Sequence, residues 1–155
     1  MIKTLLIILT TFFIAFAPHA LAQNINPKYD AELAAKLGAD DYGMKNFILV
    51  ILKTGTNQST DKNKRNEAFT GHFKNINRLV EEKKLIVAGP FGKNENDFRG
   101  LFILDIASLE AANALLQTDP AISEKYLTAE LYPWYGSAAL TEYLDASDKI
   151  WKITP

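Results

Sequence analysis

Residues 45–137 predict two β-α-β halves in succession, an α+β sandwich with its helices on one face of a four-stranded sheet. Three observations carry that expectation. Four apolar runs have strand length: "KNFILVILKTG", "KLIVAGPFG", "LFILDIA" and "LTAELYPWYG". Two stretches between them, "EAFTGHFKNINRLVEE" and "SLEAANALLQ", space their apolar residues as helices do. The order is strand, helix, strand, strand, helix, strand, and right-handed crossovers put both helices on the same side. This is the ferredoxin-like βαββαβ arrangement.

Each element has its own signal. Residues 1–22 predict a signal peptide: Lys3 supplies a positive start, "LLIILTTFFIAFA" an apolar run, and "ALA" a small-x-small cleavage site before Gln23. The run from Leu5 to Ala17 falls short of the roughly 20 residues of a membrane span, which disfavours an uncleaved anchor. The expectation is therefore a periplasmic or secreted protein with no membrane anchor after cleavage. Residues 23–44 form a helical extension, with Leu33 and Leu37 one turn apart and Gly38 as the stop. "TNQSTDKNKRN" is polar and turn-rich, so a mobile loop is expected before the first long helix. Gly89-Pro90 interrupts the second strand, since proline removes a ladder donor. "KNENDFRG" reads as a polar loop, Ser108 opens the second long helix, and residues 138–155 form a tail that wraps the domain.

Composition closes off several chemistries. The chain of 155 residues is 48% hydrophobic, enough for one domain with its own core. It contains no cysteine, which removes disulfides, thiol nucleophiles and structural zinc sites. Loss of residues 1–22 removes Lys3 alone among the charged residues and moves the net charge from −1 to −2. That balance offers no footprint for nucleic acid. One of the two histidines, His19, lies in the leader, so a multi-histidine metal centre within the mature chain is not expected. No motif implies a cofactor: the glycines of "GPFGKNENDFRG" lack a phosphate-loop context, and no serine sits in a GxSxG elbow.

His72 is the remaining histidine. At about 100° per residue, Phe69, Phe73, Ile76 and Val80 fall within roughly 60° of one another. His72 lies about 40° from Ile76, at the border of that stripe. One reading is a core-edge histidine bonded to a backbone carbonyl; the other is a functional imidazole. Asp119 has two readings as well. Before Pro120 it is a natural helix N-cap, yet it ends a loop after the second helix, beside the first. A carboxylate on an imidazole nitrogen fixes the tautomer and makes a general base.

Val50, Leu52, Val87, Phe102 and Leu104 offer more apolar area than two helices cover, so a homodimer through stacked sheets is expected. "FKNINRLVEEKKLIVAGPFG", "FRGLFILDIASLEAANALLQTDPA" and "LTAELYPWYGS" closely resemble the YciI-like (YCII-related) domain over roughly residues 45–137. The shared pattern is His72, Gly89-Pro90, the helix start Ser108-Leu109-Glu110-Ala111-Ala112, and Asp119-Pro120. The resemblance implies a dimeric α+β barrel of ferredoxin-like protomers, with a histidine–aspartate pair in a pocket that maps onto His72 and Asp119. It also implies kinship with muconolactone isomerases and a chloromuconolactone dehalogenase.

Two function classes follow. The first is a small acid–base enzyme of isomerase, lyase or dehalogenase type acting on a small organic substrate. His72 is its base, Asp119 its orienter, and Gly89, Pro90 and Phe91 a pocket wall; Arg99 is a candidate to hold a substrate carboxylate, its other reading being an exposed hairpin arginine. The second is a non-catalytic dimeric module that binds a small ligand or serves as an accessory protein. Only the first needs the pair open to a cavity.

Overall fold

Strand β1 (Met44–Thr54) is the spine of the sheet, paired along its length with β4 (Leu127–Ser137) on one side and with β3 (Phe98–Leu104) on the other. β2 (Leu85–Pro90) pairs with β3 at the far edge, giving the antiparallel order β2-β3-β1-β4. With α2 (Lys62–Glu81) after β1, and α3 (Leu109–Leu116) and the short α4 (Pro120–Ser123) after β3, this is the ferredoxin-like topology. The computed structural model describes residues 26–153; the expected signal peptide at 1–22 lies outside them. No helix among the described residues is long and apolar enough to cross a membrane.

Alternation along the strands decides which face is covered. Ile48, Val50 and Leu52 of β1 and Phe102 and Leu104 of β3 share one face. They form a buried cluster with Leu79 of α2, Ala112 and Leu116 of α3, and Ala121 and Ile122 of α4. This corrects the expectation that Val50, Leu52, Phe102 and Leu104 were surplus: the helices of the same chain bury all four. The face without helices carries Leu49, Ile51, Leu101 and Ile103, all half-buried, with the exposed Tyr132 paired to Leu49.

The additions at either end meet each other. α1 (Ala31–Leu37) is capped by Asp30, which accepts from the Leu33 N–H, and stops at Gly38 in the left-handed region (φ 69°). Lys36 of α1 pairs with Glu142 of a 3₁₀ turn (Ala138–Glu142) that follows β4, and α5 (Tyr143–Ser147) continues the tail.

Three boundaries differ from expectation. Helix α2 starts at Lys62, inside the segment expected to be loop, because the Asp61 side chain accepts from the N–H groups of Asn63 and Lys64. β3 starts at Phe98, because the Asn94 side chain bonds the Phe98 N–H and C=O and closes the preceding turn. β2 runs through Gly89 and Pro90 rather than breaking there, since an edge strand tolerates a proline whose missing donor faces no partner.

Candidate active site

Helix α2 buries Ala68, His72, Asn75 and Leu79. Two of these four are polar. At about 100° per residue their centre lies roughly a quarter turn from the Phe69–Phe73–Ile76–Val80 stripe expected from apolar periodicity. Phe73 is instead 59% exposed, while His72 is 7% exposed and sits centrally over the sheet. The border position expected for His72 is thus corrected. Hydropathy counts His72 and Asn75 as polar, but here each has a partner below the helix that offsets its burial.

That partner is Asp119. Its Oδ2 lies 2.7 Å from His72 Nδ1 and 3.5 Å from Asn75 Nδ2. Its Oδ1 accepts from the Ala121 N–H at 2.9 Å, the N-cap bond of α4. Capping and imidazole contact therefore coexist on opposite oxygens of one fully buried carboxylate. An ionised carboxylate only accepts, which assigns the shared hydrogen to Nδ1; in the neutral ring the lone pair is then on Nε2. Nε2 has no hydrogen-bond partner among the described residues, and none of their buried side-chain polar atoms lacks one. Nε2 is hence the atom through which His72 meets accessible space.

The surroundings of the ring are aromatic. Phe102 stacks beneath it (centroids 6.0 Å apart, planes at 23°), and Phe69 and Phe73 approach edge-on at 6.0 and 5.5 Å. Behind the pair lies a network that hydropathy gave no reason to expect. Arg78 donates to Asn75 Oδ1 (2.7 Å) and to the Thr118 hydroxyl (2.9 Å), and its other terminal nitrogen bonds Glu82. Only the folded juxtaposition of α2 with the α3–α4 turn brings these residues together.

The expected pocket wall divides between the two sheet faces. Ala88 pairs with Phe102 and Pro90 with Gly100, so Pro90 lies on the face beneath His72, and Gly89 is the backbone between them. Phe91 and Arg99 come from the opposite face, where Phe91 packs on Phe98 at 5.6 Å. Arg99 is thus separated by the sheet from His72 of the same chain. Two cavities open elsewhere. One of about 260 Å³ lies among Lys36, Lys45, Asp105 and Glu142; one of about 570 Å³ lies between Ile76 and Val80 of α2 and Tyr143, Leu144 and Trp151 of the tail. Neither is lined by His72 or Asp119. The described residues hold no cluster of three or more metal-ligating side chains.

Clear pKa shifts accompany hydrogen bonds at the surface of the molecule. The Tyr135 hydroxyl donates to Asp40, which pushes the phenol up to about 12 and holds the Asp40 carboxyl below its ordinary value. Glu130 is held low by hydrogen bonds from Lys53 and Tyr132 on the helix-free face.

The YCII-related domain family matches residues 47–134. No curated protein sequence matches the chain. Among solved structures, 5-chloro-2-hydroxyhydroquinone dehydrochlorinase (TftG) from Burkholderia phenoliruptrix AC1100, in complex with 2,5-dihydroxybenzoquinone, is similar at 17% identity. The TM-score is 0.41, over 56% of this chain and 92% of that one.

Proposed function

The chain belongs to the YCII-related domain family, and from that premise we propose that it is a small acid–base enzyme with His72 as general base and Asp119 as its orienter. One observation carries the reading: Nδ1 is held by a buried carboxylate at 2.7 Å while Nε2 is left unbonded at the accessible surface. In that state Nε2 takes a proton from a substrate C–H or O–H, and Asp119 stabilises the imidazolium that forms. Return of the proton to a different atom is isomerisation; departure of an anion from the neighbouring atom is elimination. The Phe69, Phe73 and Phe102 rings favour a small organic substrate with a flat apolar body.

Assembly and location belong to the same proposal. The helix-free face with Leu49, Ile51, Leu101 and Ile103 supports a homodimer formed by stacked sheets. The apolar run and "ALA" site before Gln23 support export and removal of residues 1–22.

One observation favours a second reading, a non-catalytic ligand-binding module: both cavities lie away from His72. Proton exchange discriminates the two. The protein is incubated in D₂O with a panel of enolisable lactones, hydroxyquinones and halogenated organic acids, and deuterium uptake is read by NMR. Uptake catalysed by the parent and abolished in His72→Ala supports the enzyme. Equal uptake in both proteins removes it.

A further inference from the structure

Asn75 is 7% exposed on α2, one turn beyond His72, and the proposed reaction assigns it no part. Its amide orientation is fixed by chemistry. A guanidinium only donates, so the Asn75 atom 2.7 Å from Arg78 must be the oxygen. The Thr118 hydroxyl, 3.1 Å from the same oxygen, stands with Arg78 on that side. The amide NH₂ is thereby turned towards Asp119, at 3.5 Å from Oδ2. His72 and Asn75 converge on a single carboxylate oxygen from one helix face, while the Ala121 N–H holds the other oxygen.

We infer that Asn75 is a positioning residue: oriented by Arg78 and Thr118, it pins Asp119 as an acceptor and so keeps the hydrogen of His72 on Nδ1 and the lone pair on Nε2. This rests on the proposed role of His72 but acts through Asp119, not on substrate. Without the amide, His72 is the one side-chain donor left on Oδ2 among the described residues, and the orientation of the carboxylate rests on that bond and on the Ala121 N–H alone. An imidazole that loses a fixed acceptor redistributes its hydrogen between the two nitrogens. In the Nε2–H form His72 is a donor at the surface and no longer a base there.

The tautomer is read directly, with no substrate, from long-range ¹H–¹⁵N spectra of the full chain. The ring signals of His72 are those missing from His72→Gln. In the parent, Nδ1 should resonate as a protonated nitrogen and Nε2 as a bare one. Asn75→Ala should raise the Nε2–H population about threefold, short of the roughly tenfold that a hydrogen bond of ordinary length represents, because the amide stands 3.5 Å from Oδ2. Arg78→Ala should do the same to a lesser extent, because it frees the amide to flip while leaving every buried group in place. That second variant decides the matter if Asn75→Ala does not fold. Asn77→Ala, an exposed position on the same helix, should leave the spectrum unchanged. Parent-like ring signals in the folded variants of Asn75 and Arg78 would overturn the inference. The proposed enzyme would survive that result, since its own test is turnover lost in His72→Ala.

Discussion

Gly71 and Pro120 are in direct contact: a Cβ built on Gly71 would lie 2.6 Å from Pro120 Cγ. Gly71 precedes His72 and Pro120 follows Asp119, so the contact sets how closely the two partners' helices approach. Gly71→Ala should push α4 away, destabilise the fold by about 1–3 kcal/mol and loosen the histidine–aspartate pair. Urea unfolding measures the first and the His72 ring signals the second. Pro120→Ala in the same chain should recover most of the loss, giving a coupling term in a double-mutant cycle.

The two jobs of Asp119 are separable. Asp119→Asn keeps an acceptor for the Ala121 N–H and so keeps the cap, whereas Asp119→Ala loses cap and imidazole contact together. The alanine variant should be less stable than the asparagine one by about 1 kcal/mol, the usual worth of a cap. Both should lose whatever turnover His72→Ala loses. Full activity in Asp119→Asn would mean that the carboxylate charge plays no part.

His72→Ala leaves a fully buried carboxylate short of its nearest side-chain partner. The expected cost is about 1–3 kcal/mol, the penalty for a buried hydrogen-bonding group left short of a partner. A loss below about 0.5 kcal/mol by urea unfolding, the range of an ordinary surface change, would mean that Asp119 finds another partner.

The sheet face without helices should form the dimer. Ile103→Asp and Ile51→Lys place charges where half-buried apolar side chains now stand. Light scattering should show a dimer for the parent and a monomer for these variants, with unchanged far-UV circular dichroism. A parent that is monomeric at micromolar concentration would remove the stacked-sheet assembly.

The contact between Tyr135 of β4 and Asp40, just after α1, should show in the pH dependence of stability. A carboxyl held below its ordinary value of 3.8 contributes stability above that pH and loses it as pH falls through the folded value. A phenol raised from 10.0 to about 12 contributes below pH 10 and loses it as pH rises through 12. Tyr135→Phe should therefore fall short of the parent by a constant amount between pH 5 and 9. The gap should close at both extremes, and a gap that is flat throughout would rule the contact out as its source.

The fold was legible because its strands and helices differ in period. Four apolar runs separated by two helical stretches leave few topologies. The candidate site was half legible. His72 stood out as the one histidine outside residues 1–22, and Asp119-Pro120 marked a helix start. Asn75, Thr118 and Arg78 did not stand out, because Asn75 gains its buried place, and the other two their bonds across to it, only where α2 meets a turn some 40 positions away. The same blindness set the buried stripe of α2 a quarter turn from its place. The start of that helix was hidden for the opposite reason: Lys62–Asn66 contains no apolar residue to mark a face.

The pairing of β1 with β4 runs from Met44↔Ser137 to Thr54↔Leu127, so the first strand is flanked on one whole side by the last. A nascent chain therefore holds β1, with its run of large apolar residues, against one neighbour until the final strand has been synthesised. Until then its free edge can pair with another chain. Slow, late closure of this kind favours aggregation over folding at high expression. Truncations ending before Leu127 should accordingly precipitate rather than yield a smaller folded unit.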